Sequence, residues 1–200
     1  MTTIGQIEKK TQRRVVKLFR ETLGYDYLGD WTDREDNGNI EPALLRSFLK
    51  KDNPDSLIAK VLYELEKAAG DTSKSLYDRN RAVYGLLRYG VKVRPDVGEN
   101  NVTVWLVDWN EPEKNHFAIA EEVTVAGADA KASTKRPDIV LYVNGIALGV
   151  LELKRSTVSM AEGIRQNLDN QKKEFIQPFF STMQWVMAGN DTEGRSSRVC

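Results

Sequence analysis

The chain has 200 residues, 40% hydrophobic and 29% charged, which suits one large globular domain, or one domain with a helical extension. Basic and acidic residues both number 29, so no overall positive field draws the chain to nucleic acid, and binding to DNA needs local patches or a partner. The single cysteine, Cys200, excludes a disulfide framework and a cysteine-based zinc site; with no signal-peptide character at the start and no bilayer-spanning stretch, a cytoplasmic location without membrane contact is expected.

Residues 4–20 read as a helix, with Ile4, Ile7, Val15, Leu18 and Phe19 apolar, and Lys9, Lys10, Arg13 and Arg14 decorating an exposed face. Residues 24–39, rich in Gly, Asp and aromatics, read as a loop. A second helical region over 41–69 breaks near Asn53-Pro54, because a proline biases the residue before it away from helix. Leu57, Ile58, Val61, Leu62 and Leu65 form its apolar stripe. A third helix turns Leu76, Val83, Leu86 and Leu87 inward and places Gly90 at a left-handed C-terminal cap.

The pattern then changes period. Residues 102–109 and 117–125 are strand-like, and a loop of small and charged residues follows over 126–135. Trp105 and Trp109 read as packing residues, and His116, the only histidine, as a strand-entrance residue without catalytic duty. Two apolar runs then meet at Asn144-Gly145, the strongest short-range hairpin signal. Ile146 to Leu151 has no wet face and belongs at the centre of a covered sheet. Ser159 can cap a helix running to about Ile176, with Met160, Ile164, Leu168 and Phe175 inward and Pro178 beyond its end. Gln184 to Ala188 reads as a last strand.

The hairpin ends remote from the turn carry the chemistry. Glu152 and Lys154 are two apart on a strand and share a face; Asp138 lies near the start of the other strand. A two-residue loop at Asn144-Gly145 sets Asp138 opposite Leu151, on the wrong face, whereas a three-residue loop sets it opposite Val150, on the face of Glu152 and Lys154. A shared site therefore requires a bulge or an odd loop count. Given one face, Asp138 and Glu152 suit Mg²⁺, with the Leu153 carbonyl as a further oxygen, since that ion takes one or two carboxylates, several waters and a substrate phosphate. Lys154 is placed to orient an attacking water and to offset negative charge on the phosphate. This constellation points to phosphodiester hydrolysis. The plainer alternative is turn chemistry at Pro137-Asp138 and a solvated Glu-x-Lys pair. Lys131, Lys135, Arg136, Lys154, Arg155 and Arg165 are candidates for a positive rim that tracks phosphates.

Pro137-Asp138 with Glu152-Leu153-Lys154 resembles the motif of the PD-(D/E)xK nucleases. The flanking sequence from Arg136 to Gly145, with Asn80 to Val93, Val107-Asp108-Trp109 and Val186 to Asp191, resembles the N-terminal endonuclease domain of the restriction (R) subunit of type I restriction-modification enzymes, over about residues 76–191. The resemblance implies an α/β fold, an αβββαβ core with a mixed central sheet flanked by helices, preceded by an N-terminal helical extension. On this basis residues 1–70 form the helical region, 71–194 the nuclease domain and 195–200 a foreign or disordered tail. It also implies Mg²⁺-dependent cleavage of unmodified double-stranded DNA, with Mn²⁺ as a substitute. Partners would be methylation and specificity subunits and a C-terminal ATPase motor, with ATP and S-adenosylmethionine entering only through the rest of the assembly. No G-x-x-x-x-G-K-[ST] phosphate loop occurs in this chain, so it holds no such motor, and alone it is expected to be weak or inactive.

The family often carries Gln-x-x-x-Tyr on the helix after the lysine. Gln166 fits the first position as a further catalytic candidate, but its fourth follower is Asn170. Two other readings are a non-catalytic docking module of the same assembly and a stand-alone structure-specific nuclease.

Overall fold

The computed structural model describes residues 3–127, 131–155, 157–190 and 194–199. Helix α1 (Thr3–Lys17) continues through a π-helical turn over Leu18–Thr22. Strand β1 (Asp26–Asp30) follows, inside the stretch expected to be loop. Alternation there is hidden because all five of its residues are at least partly exposed at a sheet edge. Helices α2 (Pro42–Leu49) and α3 (Asp55–Gly70) flank the predicted break at Asn53-Pro54, with Pro42 and Asp55 in their first turns. Helix α4 (Leu76–Tyr89) starts at Ser75, whose hydroxyl accepts from the Asp78 amide at 3.1 Å, and ends at Gly90 with φ +74°.

A small ribbon pairs β2 (Val91–Val93) with β3 (Val102–Val104), so the strand expected over 102–109 stops early and the two tryptophans lie beyond it. Strands β4 (Phe117–Glu121), β5 (Ile139–Val143) and β6 (Ile146–Leu153) form an antiparallel meander. Helix α5 (Met160–Asn170) then crosses to β7 (Trp185–Asn190), parallel to β6, through a 3-10 turn at Gln177–Ser181. Among the described residues the main sheet runs β1-β4-β5-β6-β7-β8, with β1 parallel to β4. Its last member is β8 (Gly194–Val199), antiparallel to β7, where the sequence suggested a disordered tail; Cys200 lies outside the described residues. The fold is mixed α/β with the expected α-β-β-β-α-β order at its centre.

Every residue of β6 is buried, as a central strand covered on both sides requires. On one face Val15, Val16 and Phe19 of α1 pack on Ile119, Ile139, Leu151 and Leu153. The other face packs Ala118, Val140, Tyr142 and Val150 against Phe179, Phe180 and Met183. A third cluster joins α2, α3 and α4 to Ile146 and Leu148 at the hairpin tip. Each fully buried aliphatic side chain of this kind contributes about 1.5–3 kcal/mol of transfer free energy.

Helix α5 departs from expectation. It stops at Asn170 rather than near Ile176, Leu168 is 43% exposed, and the buried face is Gly163, Asn167 and Asn170. A small polar stripe contacts the sheet, so an apolar-period search picks the wrong face. Gly163 is the reason for the close contact: a Cβ there would lie 2.9 Å from the Ala188 Cβ.

Candidate active site

The hairpin turn has two residues, Asn144 and Gly145, both with positive φ (51° and 82°), so Val143 pairs with Ile146 and Tyr142 with Ala147. Leu141 then pairs with Gly149, which leaves Leu148 as an extra residue in β6. Ala147 and Val150, three apart, consequently share a face. The bulge that a shared site requires is present, although the loop is the two-residue kind. Ile139 pairs with Leu151, so the register places Asp138 across from Glu152. The partner is two steps further along β6 than the three-residue loop would give, and one further than an unbulged two-residue loop.

The turn is held at its own end by buried amides. Asn144 accepts from the His116 amide at 2.7 Å, and donates to the Leu106 carbonyl at 2.9 Å and to Asn115 Oδ1 at 2.8 Å. His116 precedes β4 and its Nε2 lies 2.8 Å from Asp26 Oδ2, remote from the carboxylate end of the hairpin.

All four predicted residues meet on the α5 side of the sheet. Asp138 Oδ2 accepts from the Leu153 amide at 2.6 Å. Gln166, on α5, donates through Nε2 to Glu152 Oε2 at 2.8 Å, and its Oε1 accepts from Lys154 Nζ at 2.6 Å. Lys154 Nζ also stands 3.6 Å from Glu152 Oε2. The Lys154 amide continues the parallel ladder by donating to the Gly189 carbonyl at 2.8 Å, which fixes the root of its side chain.

Glu152 is fully buried, and its Oε1 has no hydrogen-bond partner among the described residues. Burial raises its pKa well above the ordinary 4.5, and the neighbouring Asp138 carboxylate adds to that; Lys154 opposes both without cancelling them. Such a carboxylate costs several kcal/mol to keep ionised unless cations surround it. The Lys154 ammonium beside Glu152 is one positive charge against the two carboxylates of Asp138 and Glu152. An additional positive charge would offset the repulsion between them and pair the orphan oxygen, so the donor set fits a divalent ion. Among the described residues no cluster of three or more His, Cys, Asp and Glu forms, and the candidate centre has two protein carboxylates, Asp138 and Glu152. Two carboxylates with water completing the shell are what Mg²⁺ accepts.

The other sequence candidates are mostly engaged. Arg136 Nε pairs with Glu122 at 2.8 Å, Lys135 Nζ sits 3.9 Å from the Phe175 ring centroid, and Arg165 pairs with Glu162 on its own helix. Asn170, where the resemblance leads one to expect tyrosine, is buried. Trp105 and Trp109 are half exposed, not core. Their neighbours Phe48, Arg88, Asp108 and Asn110 line a cavity of about 430 Å³ with them, away from the carboxylates.

Sequence reasoning missed Glu121, at the same sheet end on the α1 face, which accepts from Gln12 at 2.9 Å and from the Tyr27 hydroxyl. No local signal marks that constellation, because its members are 94 and 109 positions apart.

Two known proteins resemble this chain, one along nearly its whole length and one over a shorter stretch. The type I restriction enzyme HindI endonuclease subunit of Haemophilus influenzae is 27% identical over 193 residues, covering 90% of this chain and 18% of that protein. A protein of Methanocaldococcus jannaschii named "Putative type I restriction enzyme MjaIXP endonuclease subunit" is 32% identical over 78 residues, 38% of this chain and 8% of its own length. The chain thus spans less than a fifth of the relatives it matches. No helix among the described residues is long and apolar enough to cross a membrane. The family defined by the type I restriction enzyme R protein N terminus matches residues 5–197, and the chain belongs to that family.

Proposed function

We propose that this chain is the Mg²⁺-dependent endodeoxyribonuclease domain of a type I restriction enzyme R subunit, acting on unmodified double-stranded DNA. The observation that carries the reading is the meeting of Asp138, Glu152, Lys154 and Gln166 on one face, with the buried Glu152 Oε1 unpaired.

Asp138 and Glu152 would hold the ion. When bound, Mg²⁺ would lower the pKa of a coordinated water and offset charge on the scissile phosphate. Asp138 is fixed for that task by the Leu153 amide. Gln166 keeps one oxygen of Glu152 occupied and leaves the other open. Lys154 is 16% exposed and held by Gln166, so its ammonium is fixed in direction and only partly hydrated. A desolvated, oriented ammonium interacts more strongly with a phosphate than one in bulk water, and it can hold the attacking water by its lone pair.

The remaining length of the subunit would hold the ATPase motor, and the assembly would include methylation and specificity subunits that supply DNA choice in the cytoplasm. The names of the relatives, both endonuclease subunits, support this reading. Cleavage of supercoiled DNA with Mg²⁺ in the reconstituted complex tests it, comparing Asp138→Ala and Lys154→Ala with the parent. Loss of cleavage in both is expected. Undiminished cleavage in both rejects the assignment.

A further inference from the structure

The site itself has little cationic charge to spare for a duplex. Lys154 is taken up by Glu152 and Gln166, Arg136 by Glu122, and Arg165 by Glu162. The chain as a whole is neutral. A nuclease domain must nonetheless meet several phosphates, and cations supply the electrostatic share of that affinity.

Helix α1 with its π-helical extension supplies them. By sequence the segment holds six cations, Lys9, Lys10, Arg13, Arg14, Lys17 and Arg20, against two acids, Glu8 and Glu21. All six cations are exposed, while Thr11, Gln12, Val15, Val16 and Phe19 are buried. Lys10, Arg13, Arg14 and Lys17 follow the i, i+3, i+4, i+7 rule and form one solvent stripe. At 1.5 Å per residue the stripe runs about 10 Å, the axial span of about three phosphates on one DNA strand. No carboxylate among the described residues pairs with Lys10 or Arg13, and Lys17 meets only Glu21, at 3.6 Å on the surface.

The direction of the helix matters as much as its charge. Gln12 reaches Glu121, which pairs with Ile139 beside Asp138. Phe19 meets Tyr25 edge to face at 5.0 Å between ring centroids, and Tyr25 meets Phe117 at 5.4 Å, at the opposite end of β4. The N-terminal half of α1 therefore lies at the sheet end that carries the carboxylates. Lys9 belongs to the same neighbourhood. Burial pushes the Asp30 carboxyl up, but hydrogen bonds from Thr32, with help from Lys9 and Arg136, hold it below its usual value.

We propose that α1 is the rail along which the phosphates of double-stranded DNA approach the site, with Lys10, Arg13 and Lys17 as its principal contacts. The proposal rests on the nuclease reading above. A membrane surface does not fit the described part of this helix, because Val15, Val16 and Phe19 are spent on the sheet.

The test measures binding apart from cleavage, in the absence of divalent ions. Fluorescence anisotropy with a duplex of about 20 base pairs is compared for the chain, for K10Q/R13Q/K17Q, and for a control, K50Q/K67Q/K114Q, which removes three exposed cations elsewhere. The α1 variant should weaken binding at least tenfold and lower the slope of log Kd against log salt by nearly three, about 0.9 per lost contact. The control should bind like the parent. Equal losses in both variants, or no change in the first, overturn the proposal. Should the α1 variant fail to fold, acetylation of the unaltered chain decides: duplex must protect Lys9, Lys10 and Lys17, and equal labelling with and without it overturns the proposal. Asp138→Ala separates the two readings, since it should abolish cleavage while leaving anisotropy unchanged.

Discussion

Gln166 donates to Glu152 Oε2 at 2.8 Å with its amide nitrogen while its oxygen holds Lys154, so one helix residue sets the spacing between an acid and a base that strand geometry alone would leave free. Removing that amide should loosen both partners. Gln166→Ala is expected to lower Mg²⁺-dependent cleavage about 10–100-fold, the usual effect of losing a residue that orients a ligand. The lost donor also raises the proton affinity of Glu152, so the acid limb of the pH–rate profile should move to higher pH. Initial rates of plasmid nicking across the neutral range read both effects. An unchanged profile would reduce Gln166 to an ordinary surface amide.

Glu152 should cost stability when no metal is present. Its folded pKa is raised above the ordinary 4.5, so between those limits the folded chain holds a proton that the unfolded chain has released. The folded state then binds more protons, and stability falls as pH rises through the raised value. Glu152→Gln lacks this penalty. In EDTA it should melt above the parent at neutral pH, with the gap closing toward the ordinary carboxyl pKa. A gain of only about 1 kcal/mol would show as about 2–4 °C in a chain of this size. Mg²⁺ should raise the melting temperature of the parent and leave the variant where it was. A parent that melts higher than the variant in EDTA would contradict the placement of Glu152.

Gly163 lets α5 lie against β7. An alanine there would bring its Cβ to 2.9 Å from the Ala188 Cβ, and to 3.6 Å from the Glu152 Cβ and the Lys154 Cγ. The helix must back away from the strand that carries the site. Gly163→Ala should cost about 1–3 kcal/mol by overpacking, despite the better helix propensity of alanine. Ala188→Gly in the same chain should restore most of the loss, because it removes the opposing carbon. Urea denaturation of the two single variants and the double variant measures this coupling.

The turn at the other end carries a separate cost. Gly145 has φ +82°, and a Cβ there would meet the Glu41 carbonyl oxygen at 2.7 Å and the Leu44 Cβ at 2.8 Å. Gly145→Ala should destabilise by more than about 2 kcal/mol, the left-handed backbone penalty plus the clash. Asn144→Gly keeps the backbone conformation easy but removes the bonds to His116, Leu106 and Asn115, each worth about 0.5–1.5 kcal/mol. Thermal melts of the two variants separate backbone strain from hydrogen bonding.

Much of this was legible in the sequence. The Asn-Gly turn, the dry strand after it, the break at Asn53-Pro54 and the Ser159 cap each rest on a local rule, and each appears in the structure. Strand parity puts Glu152 and Lys154 on one face, but the bulge at Leu148 that brings Asp138 across from Glu152 has no local signal. Strand β1 was not legible either, since a short edge strand without an alternating face looks like loop. The buried side of α5 escaped because Gly163 meets the sheet through smallness and Asn167 through its amide bond to the Met187 carbonyl, rather than through oiliness. The Glu121, Gln12 and Tyr27 cluster is joined only by tertiary folding.

Leu148 has a consequence for how this protein can change over time. Deleting Leu148 alone would leave an unbulged hairpin in which Ile139 still meets Leu151 and Asp138 still meets Glu152. Losing a second residue with it would bring Glu152 across from Ile139 and turn it toward Val15 and Val16, into hydrocarbon, while Asp138 stayed behind. Length in this strand among descendants that keep the pair of carboxylates should therefore vary by the bulge residue alone.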